Sequence, residues 1–172
     1  MFNWFPKIII RLKGGIAMNK KYDNDIVIDS YYLINLFNRD YDKEVTQIHV
    51  QKLMFIFEAY FMNKKNVDKL YECDYKAWAF GPVAIPLYKR YQGFGKGTIK
   101  LSAEDERLGD SISNEKKNLL NDIYSTFKNF TATQLVNFTH ADGSPWKKAW
   151  EYEKYSNISK ENMKEWFKKY CN

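Results

Sequence analysis

The sequence Lys76-Ala77-Trp78-Ala79-Phe80-Gly81-Pro82-Val83 joins two patterns that predict different structures. Up to Phe80, small and large residues alternate, which predicts a short strand with Trp78 and Phe80 on one face. Gly81-Pro82 interrupts this alternation, because glycine permits turn conformations and the residue before a proline is disfavoured in a helix. Pro86 then stands where the first turn of a helix tolerates it. We therefore expect a strand-to-helix corner whose aromatic side chains pack in the core.

The composition indicates one folded domain. The chain has 172 residues, of which 17% are aromatic, and this length is sufficient for a substantial core. It contains no uninterrupted run of eighteen apolar residues, so we expect no membrane span. Cys73 and Cys171 are too few and too far apart to indicate a disulfide framework or a zinc site. We expect a reduced, cytoplasmic setting and no cofactor.

The first seventeen residues require a separate interpretation. Lys13-Gly14-Gly15 is what a purine-rich ribosome-binding site would encode if it were translated in frame, a few codons before Met18. We therefore predict that Met18 is the natural start and that residues 1–17 are an over-annotated leader or a disordered arm. These residues contain three basic and no acidic side chains, so without them the formal charge falls from +6 to +3. That excess is weak support for a nucleic-acid partner.

The segment from Thr46 to about Asn63 predicts the central helix of the core, because apolar residues occupy nearly its whole circumference. Its few polar residues are expected to lie at solvated edges, since long polar side chains can extend from a buried helix to water. These residues are Gln47, Gln51 and Glu58 on one side, with His49, Lys52 and Asn63 on the other.

The remaining segments predict further helices and a small sheet. An earlier helix is expected from Asn24 or Asp25 to about Asn38, residues 98–101 are expected to pair with the strand, and residues 102–110 to form an acidic loop. Later helices are expected to begin after four capping residues, namely Ser113, Thr131, Ser144 and Ser159. The predicted fold is mainly α, a single compact helical domain with a small two- or three-stranded antiparallel sheet, of the α+β class.

Three segments of the chain, in order, resemble a known family. They are Val50-Gln51-Lys52-Leu53-Met54-Phe55, then Ala77–Val83 with Leu87-Tyr88, and finally Thr139-His140 followed by Pro145-Trp146. Together they resemble the Panacea domain, the SocA-like antitoxin family of bacteria and phages that includes the phage-associated GepA-like proteins. The resemblance extends over roughly residues 25–167, so residues 18–172 are expected to form one Panacea-like antitoxin domain. Val50 and Phe138 stand where the family usually has leucine.

The resemblance implies an antitoxin that neutralises a partner toxin, encoded by an adjacent gene, through direct protein–protein binding. Some relatives are thought to act instead as adaptors that deliver the toxin to a cellular protease. Exposed tryptophan and tyrosine side chains are effective interface anchors. The candidates for toxin contact are Trp78, Phe80, Tyr88, His140 and Trp146, of which several are expected to belong to the core.

Catalysis and nucleic-acid binding are two other functions that the sequence could support. Catalysis would need His140 with Asp142, or Cys73 as a nucleophile, but two residues so close in one loop rarely form a base and its orienting acid. We therefore expect no enzymatic activity, and we expect His140 to bind backbone groups of its turn.

The alternative function is a nucleic-acid-binding or phage regulatory protein, in which lysines contact phosphates and aromatic rings stack on bases. Its candidate lysines are Lys64, Lys65, Lys147, Lys148, Lys164, Lys168 and Lys169.

Overall fold

A computed structural model describes residues 22–41 and 43–171, with side chains from Asp25 onward. The predicted leader, residues 1–17, lies outside the described residues. The described helices are α1 (Tyr22–Arg39), α2 (Gln47–Lys65), α3 (Ile85–Tyr91), α4 (Ala103–Asp110), α5 (Asn114–Phe127), α6 (Ala132–Thr139), α7 (Pro145–Tyr152) and α8 (Lys160–Lys168). The strands are β1 (Tyr75–Trp78), β2 (Gly81–Ala84) and β3 (Asn157–Ile158), in the antiparallel order β2-β1-β3. The mainly helical α+β fold is confirmed.

Helix α2 is the centre of the core, as its sequence predicts. It packs against α1, α3, α5, α6, α8 and β2, and its apolar residues from Val50 to Met62 are almost all buried. Thr46 caps its N-terminus, where the Thr46 backbone N–H donates to Nδ1 of His49 at 3.2 Å. Helix α2 therefore positions most of the other elements directly, whereas α4 packs on α1, and α7 packs on the sheet and α8.

The expected strand-to-helix corner is wrong in one respect, because a second strand lies between the two elements. Trp78 pairs with Gly81, and Ala79 and Phe80 form the two-residue turn of a β-hairpin. Gly81 has a φ of 101°, a conformation that glycine adopts without strain. Phe80 therefore lies at the tip of the hairpin and not on the face of a strand.

Two other segments also differ from expectation. Residues 98–101 do not join the sheet; instead, the Ile99 N–H donates to the Val45 carbonyl oxygen at 2.8 Å. The acidic segment after Ser102 is helix α4, whose Asp105 N–H donates to the Ser102 hydroxyl. This helix lies against α1 so closely that a Cβ at Gly109 would be 2.6 Å from the Tyr32 nitrogen. Tertiary contact therefore stabilises a helix that the sequence does not predict.

Other helix boundaries follow the capping pattern. The hydroxyl groups of Ser113, Thr131, Ser144 and Ser159 each accept a hydrogen bond from a backbone N–H in the first turn, as predicted. Helix α1 begins at Tyr22, a few residues before the predicted cap. None of the helices in the described ranges has the length and apolar character needed to cross a membrane.

Of the six polar residues of α2 expected at solvated edges, four do not lie there, which corrects the prediction for them, whereas His49 and Asn63 are partly exposed. Gln47, Gln51, Lys52 and Glu58 are all buried. Each of them binds at least one backbone atom of a neighbouring segment, although Lys52 uses only one of its three N–H donors in this way. Glu58, for example, accepts hydrogen bonds from the Leu70 and Tyr71 N–H groups, each at 3.0 Å.

Candidate partner-binding site

A cavity of about 490 Å³ lies between the N-terminal half of α2, the β1–β2 hairpin and the first turns of α6. We call it the aromatic cavity, because four aromatic side chains lie in its wall. They are Trp78, Phe80, Tyr88 and Tyr155. The wall is completed mainly by apolar groups of the three elements and by Gly95 and Lys96 from the segment that follows α3.

Gln51 attaches the hairpin side of the cavity to α2. Its amide Nε2 donates to the Ala84 carbonyl oxygen at 3.1 Å, and its Oε1 accepts from the Ala84 N–H at 2.8 Å. The side chain thus makes the pair of hydrogen bonds that a neighbouring strand would make with β2. Gln47 acts similarly on the other side, where its Nε2 donates to the Gly95 carbonyl oxygen at 2.7 Å.

Lys52 is a buried cation in the same wall. Its Nζ donates to the Pro82 carbonyl oxygen at 3.1 Å. Burial lowers the pKa of Lys52 to about 7, because an ammonium group loses its hydration when it is removed from water. The side chain occupies space that only a glycine leaves free, since a Cβ at Gly81 would lie 2.6 Å from Lys52 Cε.

The aromatic side chains differ in their exposure. Trp78 and Tyr88 pack edge to face, with ring centroids 5.1 Å apart, and both are partly buried. Phe80 and Tyr155 are each 44% exposed, so they form an accessible apolar rim. The cavity therefore has two packed rings, Trp78 and Tyr88, in its wall and two exposed rings, Phe80 and Tyr155, that a partner molecule can contact.

Sequence reasoning missed Tyr155. Its N–H donates to the Ala77 carbonyl oxygen at 3.0 Å, which places the turn after α7 beside β1. Tyr155 has a φ of 67°, which is unusual for a residue with a side chain. No local signal in the sequence indicates this position, because it depends on the pairing of β3 with β1.

His140 and Trp146 lie behind the cavity wall. Their rings stack with centroids 3.4 Å apart and an interplanar angle of 5°, and Trp146 Nε1 donates to the Trp78 carbonyl oxygen at 2.9 Å. Burial, together with the charge of Lys52, lowers the pKa of His140 to about 4. Nε2 of His140 is buried without a hydrogen-bond partner. The histidine therefore packs on Trp146, which corrects the expectation that its side chain binds backbone groups of the turn.

The five predicted contact residues thus separate into two groups. Trp78, Phe80 and Tyr88 line the aromatic cavity, whereas His140 and Trp146 support it from behind. Trp146 is a core residue, with 7% of its surface exposed. This division agrees with the expectation that some of the candidates belong to the core.

The groups considered for catalysis have other interactions. Asp142 forms an ion pair with Lys147, and its own side chain is almost fully exposed. It is therefore not engaged in orienting His140. Across residues 22–41 and 43–171, no three histidine, cysteine, aspartate or glutamate side chains are grouped closely enough to hold a metal ion.

Several lysines proposed for phosphate contact are paired with acids. Lys65 pairs with Glu115, and Lys164 lies 3.4 Å from an Asp68 carboxylate oxygen. Such pairs reduce the positive field that nucleic-acid binding would use.

The segments that build this site correspond to a known family. The family model described as "Antitoxin SocA-like, Panacea domain" matches residues 50–147, from the first buried turn of α2 to the start of α7. Searches of the curated proteins and of the solved structures found no match. The matched range includes Gln51, Lys52, the whole β1–β2 hairpin and the His140–Trp146 stack. The chain therefore belongs to the SocA-like antitoxin family with a Panacea domain.

Proposed function

We propose that this protein is an antitoxin that neutralises a partner toxin by direct binding, and that the aromatic cavity is its principal contact. The observation that carries the proposal is an accessible apolar cavity, built mainly from residues of the family's matched range and bordered by the half-exposed rings of Phe80 and Tyr155. The partner would be a toxin protein encoded by an adjacent gene.

The geometry suits a protein contact for two reasons. Aromatic side chains bury a large area and lose little conformational entropy, so a few of them can dominate the energy of an interface. Phe80 lies at the tip of a hairpin whose position is fixed by the hydrogen bonds of Gln51 to Ala84. A partner therefore meets a preorganised surface and pays little for ordering it.

Neutralisation by this surface would occlude the toxin's active site or its path to substrate. An adaptor that delivers the toxin to a cellular protease would use the same contact but a shorter-lived complex. Stable co-purification of intact toxin favours occlusion, whereas protease-dependent loss of toxin favours delivery.

The deciding experiment is co-expression with the product of the adjacent gene, scored by growth and by co-purification. We expect the wild type to restore growth and the double variant Phe80→Ser with Tyr155→Ser to fail, because the variant loses the two apolar rings that border the cavity. Both positions are exposed, so the double variant should remain folded. Tyr41→Ser is the matched control, because Tyr41 is fully exposed and is not part of the cavity wall. Restoration of growth by the double variant at the wild-type level would refute the proposed contact. A neighbour that is harmless when expressed alone would refute the toxin pair itself.

A further inference from the structure

Lys52 differs from the other buried charged residues of this protein. Three charged side chains are buried among the described residues, namely Asp29, Lys52 and Glu58. Asp29 pairs with Lys116 at 2.7 Å, and Glu58 pairs with Lys160 at 2.6 Å. Within the described ranges, Lys52 makes one hydrogen bond, to Pro82, and no ion pair.

An ammonium group in this situation is incompletely satisfied. It has three N–H donors, and one of them is used by the Pro82 carbonyl oxygen. Burying a cation is costly unless an opposite charge compensates for its lost hydration. A buried ionisable group beside a cavity is therefore a candidate for binding a ligand of opposite charge.

The aromatic cavity offers Lys52 such a ligand position. No aspartate or glutamate lies in its wall, and the other charged residue there is Lys96. The two wall glutamines already bind backbone groups, Gln47 at Gly95 and Gln51 at Ala84. The wall therefore presents an apolar surface and a positive charge, but no competing acid.

The cavity also has a suitable size. Its volume of about 490 Å³ lies within the range of roughly 300–1,000 Å³ that is typical of small-molecule sites. Such sites combine a mostly apolar lining with a few polar groups that fix the orientation of the ligand. Trp78, Phe80 and Val136 supply apolar surface for the body of a ligand.

We propose that the aromatic cavity binds a small monocarboxylic acid with an apolar body, whose carboxylate pairs with Lys52. The apolar body packs between the hairpin and α6, while the carboxylate supplies the counter-ion that the described residues lack. Binding of a small acid is a separate activity from toxin binding, and it can be tested on this protein without the toxin.

The test is calorimetric titration of the full chain with octanoate and with octanamide, which share an apolar chain but differ in charge. At pH 6 we expect octanoate to bind at least about tenfold more tightly, the ratio that corresponds to a charge-assisted hydrogen bond. Lys52→Met should remove this preference and leave octanamide binding unchanged. Lys100→Met is the matched control, because Lys100 is exposed and lies outside the cavity wall, and it should retain the preference.

A second measurement uses only the wild type, so it does not depend on the folding of a variant. Octanoate affinity should fall at least about fivefold between pH 6 and pH 9, since Lys52, with a pKa of about 7, loses its proton in this range. His140, with a pKa of about 4, is neutral throughout, and octanamide affinity should remain constant. Equal affinities for octanoate and octanamide at pH 6 would overturn the proposal. So would an octanoate preference that survives in Lys52→Met, as would octanoate binding that is independent of pH.

Discussion

Gly81 and Lys52 fit together across the interface between the hairpin and the central helix. A Cβ at Gly81 would lie 2.6 Å from Lys52 Cε and 3.0 Å from its Nζ. Gly81 also has a φ of 101°, which side chains other than hydrogen rarely permit. One position on β2 therefore meets two independent requirements for glycine, and the second exists because Lys52 is buried.

Gly81→Ala is expected to lower the free energy of unfolding by roughly 2–6 kcal/mol, because backbone strain and overpacking each cost about 1–3 kcal/mol. Urea denaturation measures this loss. Gly81→Ala should lower the free energy of unfolding by less in a Lys52→Ala background, because the new methyl group no longer meets Lys52. The loss caused by the positive φ of residue 81 should remain. The explanation fails if Gly81→Ala has the stability of the wild type.

Gln51→Glu is expected to destabilise the hairpin, because a carboxylate cannot donate a hydrogen bond to the Ala84 carbonyl oxygen. The buried oxygen then loses its partner, at a cost of about 1–3 kcal/mol, and more if the new carboxylate remains charged. Gln92→Glu is the control, since Gln92 is exposed and its change should be within about 0.5 kcal/mol. Chemical denaturation of both variants gives the comparison. A change at Gln51 no larger than that at Gln92 would contradict the role of the Gln51–Ala84 pair.

Lys160→Met is expected to cost about 3–5 kcal/mol, because it leaves the Glu58 carboxylate buried without its cation. Glu58 is completely buried, and its Oε2 lies 2.6 Å from Lys160 Nζ. The control is Lys69→Met, which breaks an exposed pair with Glu72 and should cost less than about 1 kcal/mol. Thermal or urea denaturation distinguishes the two. If both variants lost similar amounts of unfolding free energy, the buried Glu58–Lys160 pair would contribute no more to stability than an exposed ion pair, which would contradict the prediction.

The contribution of Lys52 to the stability of the wild type should rise with pH between about 7 and 10.5. Burial lowers the pKa of Lys52 from 10.5 to about 7, so in this range the unfolded chain binds the lysine proton and the folded protein does not. Stability therefore increases with pH in that window, by up to about 1.4 kcal/mol per pH unit from this group. Lys52→Met should lack this increment. Parallel stability–pH curves for the two proteins would contradict it.

His140 should make stability fall in acid. Its pKa is lowered from 6.5 to about 4, so between these values the unfolded chain binds a proton that the folded protein excludes. The contribution of His140 is complete above pH 6.5 and is lost as pH falls towards 4. His140→Phe, which keeps a ring beside Trp146, should show a shallower decline in melting temperature over this range. An equally steep decline would assign the acid sensitivity to other groups.

Much of the fold could be predicted from local sequence. The capping residues Ser113, Thr131, Ser144 and Ser159 each precede the helix they were expected to begin, since a cap acts on backbone groups only three residues away. The central position of α2 also followed from its sequence, because a helix with apolar residues nearly all round must be buried. Three of the five candidate contact residues, Trp78, Phe80 and Tyr88, lie in the wall of the same cavity, and their contact with a toxin stays a prediction.

The remaining features depended on tertiary structure, for reasons that local patterns do not contain. Strand β2 pairs with β1 along its whole length and is attached to α2 by Gln51. Helix α4 is held by the pairing of Arg90 with Asp105 and by the close approach of Gly109 to α1. Tyr155 reaches the cavity only through the pairing of β3 with β1. The sequence by itself thus determined which segments other than α4 are helical and which helix is central, since capping and periodicity act over a few residues. The tertiary structure alone decided that polar side chains of the central helix are buried and that Lys52 lies in the wall of an apolar cavity, since both depend on partners distant in sequence.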